Sequence, residues 1–196
     1  MRPFLLIFVF SASALALPSP ASADARADVQ SALERVVAAG GFRANVSGPV
    51  FGPDMPPTSG TIEVVFPDRI RAETELIDFV TLPSGAWIDV LGVWTPVARD
   101  AIPVTAFSTA SIRRAIASVH DVHEEGHARS RSCEQRVYRF RASGQLPGAT
   151  ADGDARIWIC STDGRPSRIE ANDADGGRLV VAFDWSRPVR VEAPES

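Results

Sequence analysis

The alternation in residues 61–76 constrains the fold more than any other part of the chain. Ile62, Val64 and Phe66 alternate with Thr61, Glu63 and Val65; beyond Pro67-Asp68 the apolar parity resumes at Ile70, Ala72 and Leu76, opposite Arg69, Arg71, Glu73 and Glu75. A period of two sends successive side chains to opposite faces, so this segment is predicted as an antiparallel hairpin, apolar on one face and wet on the other. Keeping both apolar sets on one face requires Phe66 to pair with Ile70 or Ala72 across an odd-numbered loop such as Pro67-Asp68-Arg69. A strand through Phe79, Val80 and Leu82 comes next, and then the strands that carry Trp87 and Trp94. The result is a concave apolar wall suited to holding something oily, with Ile62, Val64, Phe66, Ile70, Phe79, Trp87, Trp94 and Trp158 expected to line it.

The N-terminus indicates where such a wall operates. Arg2, an apolar run from Phe4 to Leu17 and the small residues Ala21-Ser22-Ala23 follow the pattern of a secretory signal, so residues 1–23 are expected to be removed. The run is shorter than the roughly 20 residues a spanning helix needs. A bacterial lipid anchor requires a cysteine directly after the signal, and the cysteines here are Cys133 and Cys160. The expected product is therefore soluble and periplasmic, with residues 24–196 as one domain. The net charge is −4, and every basic residue is an arginine. The arginines are scattered, which argues against a phosphate-tracking stripe and against nucleic acid as a partner. No nucleophile elbow, phosphate loop or dinucleotide fingerprint occurs, so no cofactor is expected.

Two cysteines in an exported chain point to a disulfide. Cys133 precedes the strand-like residues 135–140, Cys160 closes 155–160, and the Gly144 to Gly153 stretch supplies the turn, so cross-strand geometry can bring the sulfurs together. A redox-active thiol pair is the alternative, but the Cys-x-x-Cys spacing is missing.

The remaining elements follow from periodicity and caps. Asp28 is expected to cap a helix with Val29, Ala32, Leu33, Val36 and Val37 at helical spacing, ended by Gly40-Gly41. Ser108 is expected to cap a second helix with Ile112, Ala115, Ile116 and Val119 in one stripe. Strands are predicted at 42–50, 137–141, 156–160, 167–171 and 179–185, with a last short strand from Val189 running into a loose end. One helix, a meander, a middle helix and a second meander predict an α+β fold in which helices cover one side of an antiparallel sheet.

With Gly60-Thr61 leading to Pro67-Asp68-Arg69, the Gly85/Trp87 and Gly92/Trp94 pairs, Cys133 through Tyr138 and Phe140, Trp158-Ile159 before Asp163-Gly164-Arg165-Pro166, and the closing Phe183, the chain resembles the LolA/LolB-like lipoprotein-carrier superfamily. The resemblance implies an unclosed half-barrel of antiparallel strands whose concave face is covered by short helices around an acyl-binding cavity. Arg43 is a candidate gating residue by its position near the first strand.

Three features compete with that implication. His123-Glu124-Glu125-Gly126-His127, with His120 nearby, spells the His-Glu-x-x-His of zinc hydrolases, which needs both histidines one turn apart on a helix. Gly126 and the lack of an apolar stripe favour instead a strand end at Val119 and Val122, a turn at Gly126 and a new strand toward Cys133, where residues four apart lie about 13 Å from each other. The reading is a solvated turn without a metal. Each of Trp87, Trp94, Trp158 and Trp185 alone is ordinary core packing; together they exceed what two short helices can cover. The acidic pairs Asp152/Asp154 and Asp173/Asp175 read as turn formers. Three functions follow. The first is a monomeric, non-enzymatic carrier or chaperone for lipid or lipoprotein acyl chains; the second is a sensor module of the same fold that meets an envelope protein; the third is a zinc hydrolase using His123, Glu124 and His127.

Overall fold

A computed structural model describes residues 20–51, 55–102, 108–146, 149–172 and 177–195. The predicted signal up to residue 19 and the Asp173/Asp175 pair lie outside them. Helix α1 (Pro20–Ala38) leads into β1 (Gly41–Gly48), β2 (Thr58–Val65), β3 (Arg69–Thr74), β4 (Asp78–Leu82), β5 (Gly85–Val90) and β6 (Val93–Val97). After a 3-10 turn (Arg99–Ala101) and α2 (Thr109–Ser118), the chain continues through β7 (His120–Arg129), β8 (Glu134–Leu146), β9 (Ala149–Cys160), β10 (Pro166–Asn172) and β11 (Arg178–Asp184). All eleven strands form one antiparallel sheet in the order β6-β5-β4-β3-β2-β1-β11-β10-β9-β8-β7. The two edge strands do not pair, so the sheet is the unclosed half-barrel expected. Its two meanders meet where the last strand returns to the first, Val46 opposite Val181.

One face carries the core. Ile62, Val64, Ile70, Ala72 and Phe79 join Tyr138, Phe140, Ile157 and Leu179 beneath Val29, Leu33 and Val36 of α1 and Ile112 and Ile116 of α2. Val50 and Phe51, from the connection after β1, fold over the same face, where Phe51 meets Phe79 with ring centroids 5.6 Å apart. Ser108 caps α2 as predicted, its hydroxyl accepting from the Ser111 amide at 3.2 Å. Asp28 does not cap α1. The helix begins at Pro20 and places Asp28 inside, where its carboxylate accepts 2.8 Å hydrogen bonds from Arg136 and the Tyr138 hydroxyl. These bonds tie α1 to β8. Burial, then the bond to Asp28, pushes the Tyr138 phenol well above its ordinary range.

The first hairpin keeps the predicted parity with the loop displaced by one residue. Val64 pairs with Ile70 and Val65 with Arg69, so the odd loop is Phe66-Pro67-Asp68 and Phe66 lies in the turn. Leu76 also leaves the apolar face, since it sits exposed in the turn between β3 and β4. The Gly144 to Gly153 stretch is mostly ladder, with pairing running on to Leu146 opposite Ala149. Residues 189–195 form no strand. Val189 and Val191 pack on the outer face of the sheet, where Val191, 2% exposed, clusters with Val80 and Leu82.

Candidate functional site

Between the helices and the seam of the two meanders lies an apolar hollow of about 60 Å³. Leu33 and Val36 of α1 and Ile112 of α2 roof it; Phe42, Val46 and Ile62 of β1 and β2 form one wall, and Ile169, Ala171, Leu179, Val181 and Phe183 of β10 and β11 the other, with Val50 at the rim. The local sequence explains each wall. Phe42, Ala44 and Val46 alternate with Arg43, Asn45 and Ser47, as do Leu179, Val181 and Phe183 with Val180, Ala182 and Asp184, and antiparallel register sends both apolar sets to the helix side. Phe42 and Phe183 meet edge-on at 5.3 Å, Phe66 adds a ring 6.1 Å from Phe42, and Trp185 stacks on Phe183 at 5.4 Å. An aromatic cluster therefore stands at one end of the hollow.

Of the eight residues expected to line a wall, Ile62 lines this hollow. Val64, Ile70 and Phe79 lie on the same face as buried core, and Phe66 packs at its margin. Trp87, Trp94 and Trp158 require correction. Ala86 and Ile88 point to the helix side, so Trp87 points outward, where it and Trp94 pack with Val80, Leu82 and the tail residues Val189 and Val191. Ile157 and Ile159 likewise take the inner side, and Trp158 lies outside beneath the Arg168 guanidinium, 5.6 Å from the ring centroid. Arg43 also faces outward and pairs with Glu63 at 3.5 Å, away from the hollow. Trp185, outside the sequence-derived set, stacks on Phe183, a residue that lines the hollow.

The histidine segment is one continuous strand. β7 runs from His120 to Arg129 with irregularities that bracket Val122 and Glu125, and Gly126 takes φ +127° within the strand instead of forming the predicted turn. His123 lies opposite Arg139 and His127 opposite Arg136, so the helical arrangement that zinc chemistry needs is not formed. Glu124 instead binds Arg136 at 2.9 Å, and this hydrogen bond holds its carboxyl below the usual range. Asp154 is a strand residue paired with Arg139 at 2.8 Å.

Cys133 and Cys160 form a disulfide with Cα atoms 5.8 Å apart, joining the start of β8 to the end of β9. It closes the end of the β8–β9 hairpin that packs against α2 and α1. Elsewhere on the outer face, Glu170 sits between Arg168 and Arg178. Burial pushes its carboxyl up, but hydrogen bonds from Arg178 and Arg168 outweigh that and leave it below the usual range.

No protein-family model matches the chain, and no curated protein matches its sequence. Solved structures match in shape. Mycobacterium tuberculosis lipoprotein LppX superposes with a TM-score of 0.61 at 13% identity, over 87% of this chain and 99% of its own. LprF from Mycobacterium bovis gives 0.57 at 12% identity, over 89% and 99%. The LolA superfamily protein NE2245 from Nitrosomonas europaea matches over 82% and 91% at 12% identity, with a TM-score of 0.34. The unclosed half-barrel that the sequence resemblance implies is the fold the chain has, and the likeness at these identities is one of fold.

Proposed function

We propose that this chain is an exported, non-enzymatic carrier that takes up the acyl chains of a lipid or lipoprotein between its helices and the concave face of its sheet. The observation that carries the reading is the wholly apolar hollow under α1 and α2 at the seam of β1 and β11. At about 60 Å³ it is far below the ~300–1,000 Å³ of ordinary ligand sites, so taking up an acyl chain requires it to widen. Loading then means that α1 and α2 lift and the chains displace their apolar side chains from the sheet. Each methylene withdrawn from water contributes ~0.8 kcal/mol, so a chain of ten or more carbons offsets the contacts it replaces.

The fastening of the helices fits that motion. α1 is tied to the sheet by polar contacts at its middle, Asp28 to Arg136 and Tyr138, and to α2 by Gln30, which donates to the Ile116 carbonyl at 3.1 Å. The part of α1 above the hollow, Leu33 and Val36, presents only apolar side chains, which repack on an acyl chain without leaving a hydrogen bond unmade. The shared fold with LppX and LprF supports the architecture. The signal pattern supports export, with Asp24 as the first residue after cleavage, and no described helix is long and apolar enough to cross a membrane.

Native mass spectrometry with lipid extraction, on protein purified from its own envelope fraction, tests the proposal. A co-purifying lipid or acylated peptide in a one-to-one complex supports carriage. An apo monomer that also refuses added long-chain fatty acid contradicts it, and a protein partner on a lipid-free chain favours the sensor reading.

A further inference from the structure

A second hollow adjoins the first. It encloses about 360 Å³ and is bordered by Gly40, Phe42, Arg165, Asp184, Trp185 and Arg187. Phe42 forms part of the wall of both, and its partner ring Phe183 lines the apolar one, so two aromatic rings separate an oily space from a polar one.

Two guanidiniums from different segments line the polar side, and a third, Arg35, lies beside the turn that carries one of them. Arg165, in the turn between β9 and β10, lies over the Trp185 ring at 5.2 Å. Arg187 extends from the segment after β11. Arg35, in the last turn of α1, reaches across to Gly164, where an added Cβ would meet its Nε at 2.9 Å. None of the three has a carboxylate within 4 Å among the described residues. Two carboxylates stand close by, both already bonded to main-chain donors. Asp163 accepts from the Arg165 amide at 3.0 Å, and Asp184 accepts from the Ser186 amide at 2.9 Å. The carbonyl end of α1 also faces this region and disfavours an anion, an effect that Arg35 in the same turn opposes. The balance is one net positive charge in a chain whose total is −4.

We infer that this second hollow is a head-group site for the anionic end of an amphiphile whose tail passes Phe42 and Phe183 into the apolar hollow. The inference rests on the acyl-binding reading and adds the ligand class, an oxyanion head on an aliphatic chain. Guanidinium offers a planar fork of donors that matches carboxylate and phosphate oxygens. Hydrogen bonds from Ser186 lower the Asp184 carboxyl and Arg187 adds to this only through space, so no described carboxylate sits within 4 Å to fill either fork. A soluble anion would have no use for the adjoining apolar space, and a neutral lipid none for the arginines.

Decanoate and decan-1-ol share a chain length and differ in the head, so their affinities measured by titration calorimetry at low ionic strength separate the two contributions. Decanoate should bind the wild-type protein roughly fivefold more tightly, as partly exposed ion pairs allow. That ratio should fall to near one in Arg165→Gln with Arg187→Gln, survive in the matching Lys pair, and shrink with added salt. A thermal melt of each variant verifies that the comparison is made on folded protein. Equal affinities in the wild type, or a ratio that persists in the Gln pair, overturns the head-group site while acyl binding stands. Failure of both compounds to bind overturns the acyl-binding reading and this inference with it.

Discussion

Filling the apolar hollow should stabilise the protein and disable it at once. Ala171 lines the hollow from β10, is 4% exposed and has Leu179 as its neighbour on β11, so Ala171→Val adds two methyl groups to a β-strand position facing empty space. An unfilled volume costs about 24 cal/mol per Å³, so a hollow of about 60 Å³ represents ~1.4 kcal/mol of forgone stability. Filling most of it should raise Tm by roughly 3–5 °C for a domain of this size. The same methyl groups occupy the space where an acyl chain must begin to enter, so binding of a fluorescent fatty acid should weaken at least tenfold. Both quantities are measurable on one preparation by a thermal melt and a fluorescence titration. A drop in Tm would show that the wall is already close-packed. A raised Tm with unchanged binding would show that the chain lodges elsewhere, and the reasoning would fail.

Other outcomes follow from particular contacts. Replacing both Cys133 and Cys160 by Ser opens a loop with a sequence separation of 27 and should cost roughly 3.5 kcal/mol on the chain-entropy model, read from urea midpoints of the two proteins. Leu91 and Gly92 both adopt positive φ, 57° and 84°, and Leu91 is fully exposed, so Leu91→Asn gives that two-residue turn the residue it favours and should gain about 1 kcal/mol. Glu170 has a lowered pKa in the folded state, so its contribution is present above the unfolded carboxylate pKa near 4.5 and disappears as pH falls through the folded value. Stability measured from pH 7 down to pH 3 should therefore fall less steeply in Glu170→Gln than in the wild type, and parallel curves would refute the assignment.

Period-two patterning makes the sheet legible in the sequence. The face assignments of Ile62, Val64, Ile70 and Ala72 needed only alternation, and the Cys133–Cys160 bridge followed from the two strands that flank it. The tryptophans mislead because bulk alone does not mark the inner face. At 86–88 and 157–159 the small or aliphatic residues take the inner face, and the tryptophans lie outside, where the tail and Arg168 cover them. Nothing local to Trp87 announces that Val189 and Val191, a hundred residues later, will supply that cover. The hollow is hidden from local pattern for a similar reason. Its walls belong to the first and last strands, whose alternation is plain in Phe42, Ala44, Val46 and in Leu179, Val181, Phe183, but their adjacency comes from the sheet's topology. Local caps were read better than helix starts: Ser108 has a side chain that bonds the next turn, whereas Asp28 has the residue type of a cap and the position of a latch.

The central claim is that an acyl chain lies between α1, α2 and the β1–β11 seam, and photo-crosslinking tests it most directly. A long-chain fatty acid with a diazirine near its terminal methyl, irradiated in complex with the protein and mapped by peptide mass spectrometry, should label Leu33, Val36, Val46 and Val181, the residues facing the hollow. Adducts concentrated on Trp87, Trp94 and Val191 would place the chain on the outer face instead and contradict the account.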